Sequence, residues 1–141
     1  MTRYPKLCQT VLDAVDVRAL AEFYKDLLGL RYRAGDEVPA GGAADDADWL
    51  VLLRPDGGRA LAFQRVATLH RTTWPSTDVP MQMHVDMTVQ GLDELREQRD
   101  RCESLGGVLL RDGSGDPDEP IYVFADPEGH PFCVFVAQPG A

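Results

Sequence analysis

This sequence repeats itself, and a repeat restricts the folds open to a chain more than composition does, because each copy must form the same supersecondary unit. Gln9-Thr10-Val11-Leu12-Asp13-Ala14 and His84-Val85-Asp86-Met87-Thr88-Val89 both alternate apolar or β-branched residues with polar ones, the pattern of a half-buried strand. A helical pattern follows each. The first runs from about Val17 to Leu28, with Asp16 as N-cap, Leu20, Phe23, Leu27 and Leu28 as an apolar stripe, and Gly29 as terminator. In the second, Asp93 and Glu94 bias the first turn, Leu92, Leu95, Cys102 and Leu105 supply the stripe, and Gly106-Gly107 stop it. Three strand candidates follow each helix: Leu30 to Ala34, Trp49 to Arg54 and Arg59 to Val66, then Val108 to Arg111, Ile121 to Ala125 and Phe132 to Ala137. The last two of each copy are joined by related turns, Pro55-Asp56-Gly57-Gly58 and Pro127-Glu128-Gly129-His130, where glycine supplies the positive φ of a tight hairpin.

The pattern predicts an α+β fold of two βαβββ modules. One copy alone is too small to bury a sheet and a helix well, so residues 1–141 are read as a single domain. Module 1 covers about 7–67, a connector 68–80, and module 2 about 81–138. The connector carries two prolines and several hydroxyls with no apolar period. Ala34 to Asp48 is rich in glycine, alanine and acid, which predicts a mobile loop over one end of the first sheet.

Net charge is −9, which excludes a nucleic-acid partner, since a phosphate backbone needs a basic face. That acidity favours a cationic ligand, although much of it lies in Asp45 to Asp48 and Asp112 to Glu119, which read as solvated loops. No apolar run approaches the ~20 residues that cross a bilayer, and no signal-like stretch precedes the first strand, so a cytoplasmic protein is expected. Cys8, Cys102 and Cys133 are far apart, lack CxxC spacing and each sit in an apolar segment, which reads as three buried thiols.

Strand parity then separates two faces. Thr10, Leu12, Ala14, Leu61 and Phe63 should lie under the first helix, leaving Gln9, Val11, Asp13, Ala62, Gln64 and Val66 opposite. Val85, Met87, Val89, Phe132, Val134 and Val136 should lie under the second, leaving His84, Asp86, Thr88, Cys133 and Phe135 opposite. Buried polar groups without partners cost about 1 to 3 kcal/mol each, so a polar inner face implies curved mixed sheets facing each other around a central cleft that holds solvent or ligand. Trp49, Trp74, Tyr122 and Phe135 are the aromatic candidates for its lining, with core packing the equal alternative for Trp49. His84 suits proton transfer near neutrality; the alternative, ranked ahead of it, is a structural hydrogen bond to Gln9, Gln64 or Asp86. His70 and His130 read as surface residues, and Asp126 and Glu128 as turn residues.

The repeated modules, Asp16 with Phe23-Tyr24 and Leu27-Leu28-Gly29-Leu30, and Ala125-Asp126-Pro127-Glu128-Gly129-His130-Pro131-Phe132 before the last strand, resemble the glyoxalase/bleomycin resistance/dioxygenase (vicinal oxygen chelate) superfamily. Phe63-Gln64-Arg65-Val66 and Met83-His84-Val85-Asp86-Met87 resemble its glyoxalase-like domain group. The resemblance implies a metal held by one residue from the first and one from the last strand of each module, here Gln9, Gln64, His84 and Cys133. Metalloenzymes of the superfamily place His or Glu there, and only His84 keeps that chemistry. The resulting expectation is a small-molecule-binding protein without the usual metal or other cofactor, with Gln9, Gln64, His84, Asp86, Trp74, Tyr122, Cys133 and Phe135 at the ligand and His84 as the catalytic candidate. The alternative is a metal-dependent lyase, isomerase or ring-cleaving dioxygenase. Related proteins dimerise with modules paired within or between chains, and a homodimer of either kind fits a chain with two halves.

Overall fold

Each copy of the repeat lays one helix on one face of a four-stranded sheet, because its strands and its helix each have a single apolar side to bury. A computed structural model describes residues 1–138 and divides into two units, Met1–Leu69 and His70–Ala141. The first contains β1 (Thr10–Ala14), α1 (Val17–Leu28), β2 (Arg31–Tyr32), a 3-10 turn at Ala40–Gly42, β3 (Trp49–Leu53) and β4 (Arg59–Arg65). The second contains β5 (Val85–Val89), α2 (Leu92–Ser104), β6 (Val108–Gly113), β7 (Ile121–Ala125) and β8 (Pro131–Val136). Strand orders are β1-β4-β3-β2 and β5-β8-β7-β6, with the first and last strand of each unit parallel and the remaining neighbours antiparallel.

Helix α1 begins where the Asp16 side chain accepts a hydrogen bond from the Ala19 amide at 3.0 Å, and ends at Gly29, whose φ of 65° is left-handed. Leu20, Phe23, Tyr24 and Leu27 are buried, and the Tyr24 ring stacks on Phe63 with centroids 6.0 Å apart. Leu28, expected in the stripe, is 38% exposed, and Tyr24 takes its place. Helix α2 buries Leu95 and Cys102 over Tyr122, Phe124, Phe132 and Val134, with Phe124 and Phe132 stacked at 5.3 Å. Its N-cap is Gly91, which has no side chain to offer.

Several boundaries differ from the sequence reading. Strand β2 stops at Tyr32, because Gly35 (φ 95°) turns the chain and Asp36 Oδ2 accepts the Val51 amide hydrogen bond at 2.9 Å. Cys8 is exposed, unlike Cys102 and Cys133; it lies in the segment before β1 that has no strand partner. From His70 on, the segment read as a connector belongs with the second unit: Arg71 Nη1 donates to the Pro127 carbonyl at 2.7 Å and the Thr72 amide to the Gly129 carbonyl at 3.3 Å. Asp126 is buried in that turn, its Oδ1 accepting the amides of Glu128 and His130. Among the described residues no helix is long and apolar enough to cross a membrane.

The two helix starts differ by one side chain, which makes their capping testable. Asp16→Ala should lower the unfolding free energy by about 1 kcal/mol, whereas Gly91→Asp, with open space around its Cβ, should raise it by a few tenths, both read from urea midpoints at unchanged m-value.

Candidate functional site

The face of each sheet turned away from its helix is set by strand register. In the second unit, β5 alternates half-buried Val85, Met87 and Val89 with exposed Asp86 and Thr88, as parity predicts. The parallel partner β8 places Cys133 opposite Asp86 and Phe135 opposite Thr88. His84 immediately precedes β5, two residues before Asp86, so both project to the same side. Its Nε2 stands 3.1 Å from Asp86 Oδ1. One donor atom from each of His84, Asp86 and Cys133 lies within 4.8 Å of the others, forming a His–Asp–Cys group.

The three members differ in environment. His84 and Asp86 side chains are 40% and 54% exposed, while Cys133 is buried. Burial first, then the negative charge and hydrogen bonding of Asp86, push the Cys133 thiol up to about 11. The thiol therefore keeps its proton at neutral pH and serves Asp86 as a hydrogen-bond donor, not as a nucleophile. Burial likewise pushes Cys102, beneath α2, up to about 11.

The first unit presents a different arrangement. Gln64 pairs with Asp13 on β1 and with Trp49 on β3, giving an exposed row of acid, amide and indole. A shallow groove of about 560 Å³ runs beside it, lined by Asp48, Trp49, Gln64, Arg65, Val66 and Ala67. Gln9 stands apart, four residues before Asp13, a separation of about 13 Å along a strand, and its Oε1 accepts from Arg59 Nη1 at 3.4 Å. The copies are thus out of step: counted from the start of each parallel pair, Val11 and Ala62 occupy the places that Asp86 and Cys133 hold in the second unit.

Sequence reasoning placed His84, Asp86 and Cys133 on one face, where the structure brings them together, but misplaced one aromatic. Tyr122 pairs with Val134, is 3% exposed, and carries the Arg99 guanidinium of α2 5.8 Å from its ring centre, so it lies beneath the helix. The antiparallel register instead sets Val123 beside Cys133 and Ile121 beside Phe135. Parity applied to β7 through its partner β8 was the signal that could have found them. Trp74 is half-buried in residues 70–80, its amide donating to Thr72 Oγ1 at 3.2 Å.

The four positions that a metal would use in this kind of fold do not fit one. Gln9 and Gln64 are neutral amides separated along the strand, and Cys133 is a buried thiol that would have to give up its proton to hold an ion. Among the described residues, only the His84–Asp86–Cys133 group is dense in donors.

A model of the family described as glyoxalase-like domain matches residues 9–135. Similar solved structures include a glyoxalase/bleomycin resistance protein/dioxygenase family enzyme from Burkholderia phytofirmans PsJN, at TM-score 0.67 and 13% identity, covering 93% of this chain and 98% of that one. A glyoxalase/dioxygenase from Nostoc punctiforme gives 0.66 and 19%, covering 94% and 91%. A glyoxalase-related enzyme from Fulvimarina pelagi gives 0.65 and 20%, covering 95% and 89%. At these identities the likeness is one of fold. No curated protein matches the sequence.

Thiol chemistry checks the electrostatics directly. With a value near 11, about one Cys133 in a thousand is ionised at pH 8, so iodoacetamide should label exposed Cys8 while Cys102 and Cys133 resist. Asp86→Asn should quicken labelling at Cys133 and leave Cys102 unchanged. Both buried thiols keep protons that the unfolded chain releases near pH 9, so their share of stability is complete below pH 9 and lost as pH climbs toward 11. Denaturation midpoints that stay level across that range in wild type and in Cys102→Ala/Cys133→Ala alike would contradict this.

Proposed function

Since this chain belongs to the glyoxalase-like domain family, we propose that it binds a small organic molecule on the open faces of its sheets, without the metal set of the metal-dependent members. The single observation carrying this reading is the His84–Asp86–Cys133 group. An exposed carboxylate stands 3.1 Å from an imidazole and beside a buried thiol that stays protonated. Such a group supplies a carboxylate acceptor and an imidazole at one point, which suits the polar end of a ligand. Phe135, two residues further along β8, and Trp49 beside Gln64 offer apolar contact to the rest. Trp74 is a further contact candidate and Gln9 lies at the margin; Tyr122 is withdrawn from the set by its place under α2.

The ligand carries a positive charge or strong hydrogen-bond donors. The second unit holds five basic against thirteen acidic residues, and Asp86 is the acid its open face presents beside His84. His84 is the residue to carry any proton transfer, with Asp86 orienting it. We read the protein as cytoplasmic and homodimeric, with a small molecule and not nucleic acid as its partner.

A second reading is favoured by the proximity of three donor atoms within 4.8 Å. It is a metal-dependent lyase, isomerase or ring-cleaving dioxygenase, and a thiol among the ligands would select a borderline ion such as Zn²⁺ or Ni²⁺ over Mg²⁺.

Thermal-shift and calorimetric screening with aromatic amines and other organic cations, in excess EDTA, distinguishes the two. Compounds should stabilise the protein under chelation, and His84→Ala or Asp86→Asn should weaken them about tenfold to a hundredfold, the value of a charged hydrogen bond of about 1.5–3 kcal/mol. If only metal ions stabilise it, and protein purified without chelator carries one ion per chain that His84→Ala loses, the second reading replaces the first.

A further inference from the structure

Ala34 to Asp48 has the composition of a loose loop, yet one side chain of α1 gathers it in. Arg18, in the first turn of the helix, directs Nε at Asp45 Oδ2 (2.7 Å), Nη2 at Asp45 Oδ1 (3.3 Å) and Nη1 at the Asp36 carbonyl (2.6 Å). Nη2 also reaches the Glu37 carbonyl at 3.4 Å, and the guanidinium lies 4.9 Å from the centre of the Tyr32 ring. The Arg18 side chain is 16% exposed and that of Asp45 27%, so the pair is held close yet stays within reach of dissolved ions. Between the two anchored stretches, the chain turns at Gly41 and Gly42 with φ of 64° and 72°, and residues 40–46 are exposed. One side of the segment walls a groove of about 710 Å³ through Ala34, Glu37 and Val38, facing Glu22, Tyr32 and Leu53. Its far end is Asp48, which meets Arg65 twice, through its carbonyl at 2.9 Å and its carboxylate at 3.3 Å, immediately before Trp49 and its partner Gln64.

We infer that residues 36–46 form a strap latched by Arg18, whose release opens the groove it walls and loosens the Asp48–Trp49 end of β3 beside Gln64. Arg18 is a positioning residue in this device. A guanidinium suits the task because one planar fork holds a carboxylate and two carbonyls at once, which a lysine ammonium cannot do. The Asp45 hydrogen bond holds the Arg18 pKa above its ordinary value, so the latch answers to ionic strength and competing anions, not to protons in the physiological range.

Hydrogen exchange on the full chain tests this. In Arg18→Ala, peptides covering 36–46 should exchange about tenfold faster or more, while those in α1, β4 and residues 50–53 keep their protection; Arg18→Lys should recover only part of the difference. In a Trp74→Phe background, acrylamide quenching of Trp49 should rise about twofold when Arg18 is removed. About 1 M NaCl should move the unsubstituted protein toward the variant. Asp45→Asn, which leaves the helix untouched, should loosen the strap in the same direction if Arg18→Ala fails to fold. Unchanged exchange over 36–46 in these variants, or loss of protection spread evenly through α1 and β4, would overturn the latch.

Discussion

The candidate site depends on one constraint, the parallel pairing of the first and last strands of the second unit. It sets Asp86 opposite Cys133 and leaves His84 one step outside the ladder, on the same side. Side chains alternate along a strand, so slipping β5 by one residue against β8 would turn His84 and Asp86 toward α2, away from Cys133, and bring Val85 and Met87 out to solvent. The apolar packing under α2, where Phe124 and Phe132 stack and Leu95 is fully buried, opposes the slip. Core packing therefore sets the chemistry on the far side of the sheet.

The same scaffold occurs in the first unit without the same chemistry. Its helix-facing positions Leu12, Ala14, Leu61 and Phe63 are apolar like those of the second unit, because a helix must seat on them. Its open face has Val11 and Ala62 where the other has acid and thiol. Positions under a helix are held by the cost of cavities and overpacking, whereas open-face positions are released from that cost and can diverge between copies. The outcome is one unit with a dense donor group and one with an amide and an indole on a shallow groove. That division is why a metal held equally by both halves does not fit these residues.

Ionic and polar contacts perform a task in the first unit that apolar packing performs elsewhere. A segment of glycine, alanine and acid has too little apolar surface to order itself by burial. Arg18 and Asp36 supply directed hydrogen bonds instead, to Asp45, to backbone carbonyls and to the Val51 amide. Such contacts are specific in geometry and modest in energy, which leaves the segment ordered and releasable.

Much of this was legible in the amino-acid sequence. The repeat, the two helices with Asp16 and Gly29 at the ends of the first, the paired glycine turns and the polar parity of His84, Asp86 and Cys133 all follow from local rules, since period and capping act over a few residues. Tertiary structure decided the rest. Whether Tyr122 faces ligand or helix depended on the register of β7 against β8. The separation of Gln9 from Gln64 depended on which β1 residue β4 meets, and the anchoring of Ala34 to Asp48 on an arginine distant in the chain. These are pairings between remote residues, and a pairing between remote segments is set by how the whole sheet packs, which no short stretch of sequence encodes.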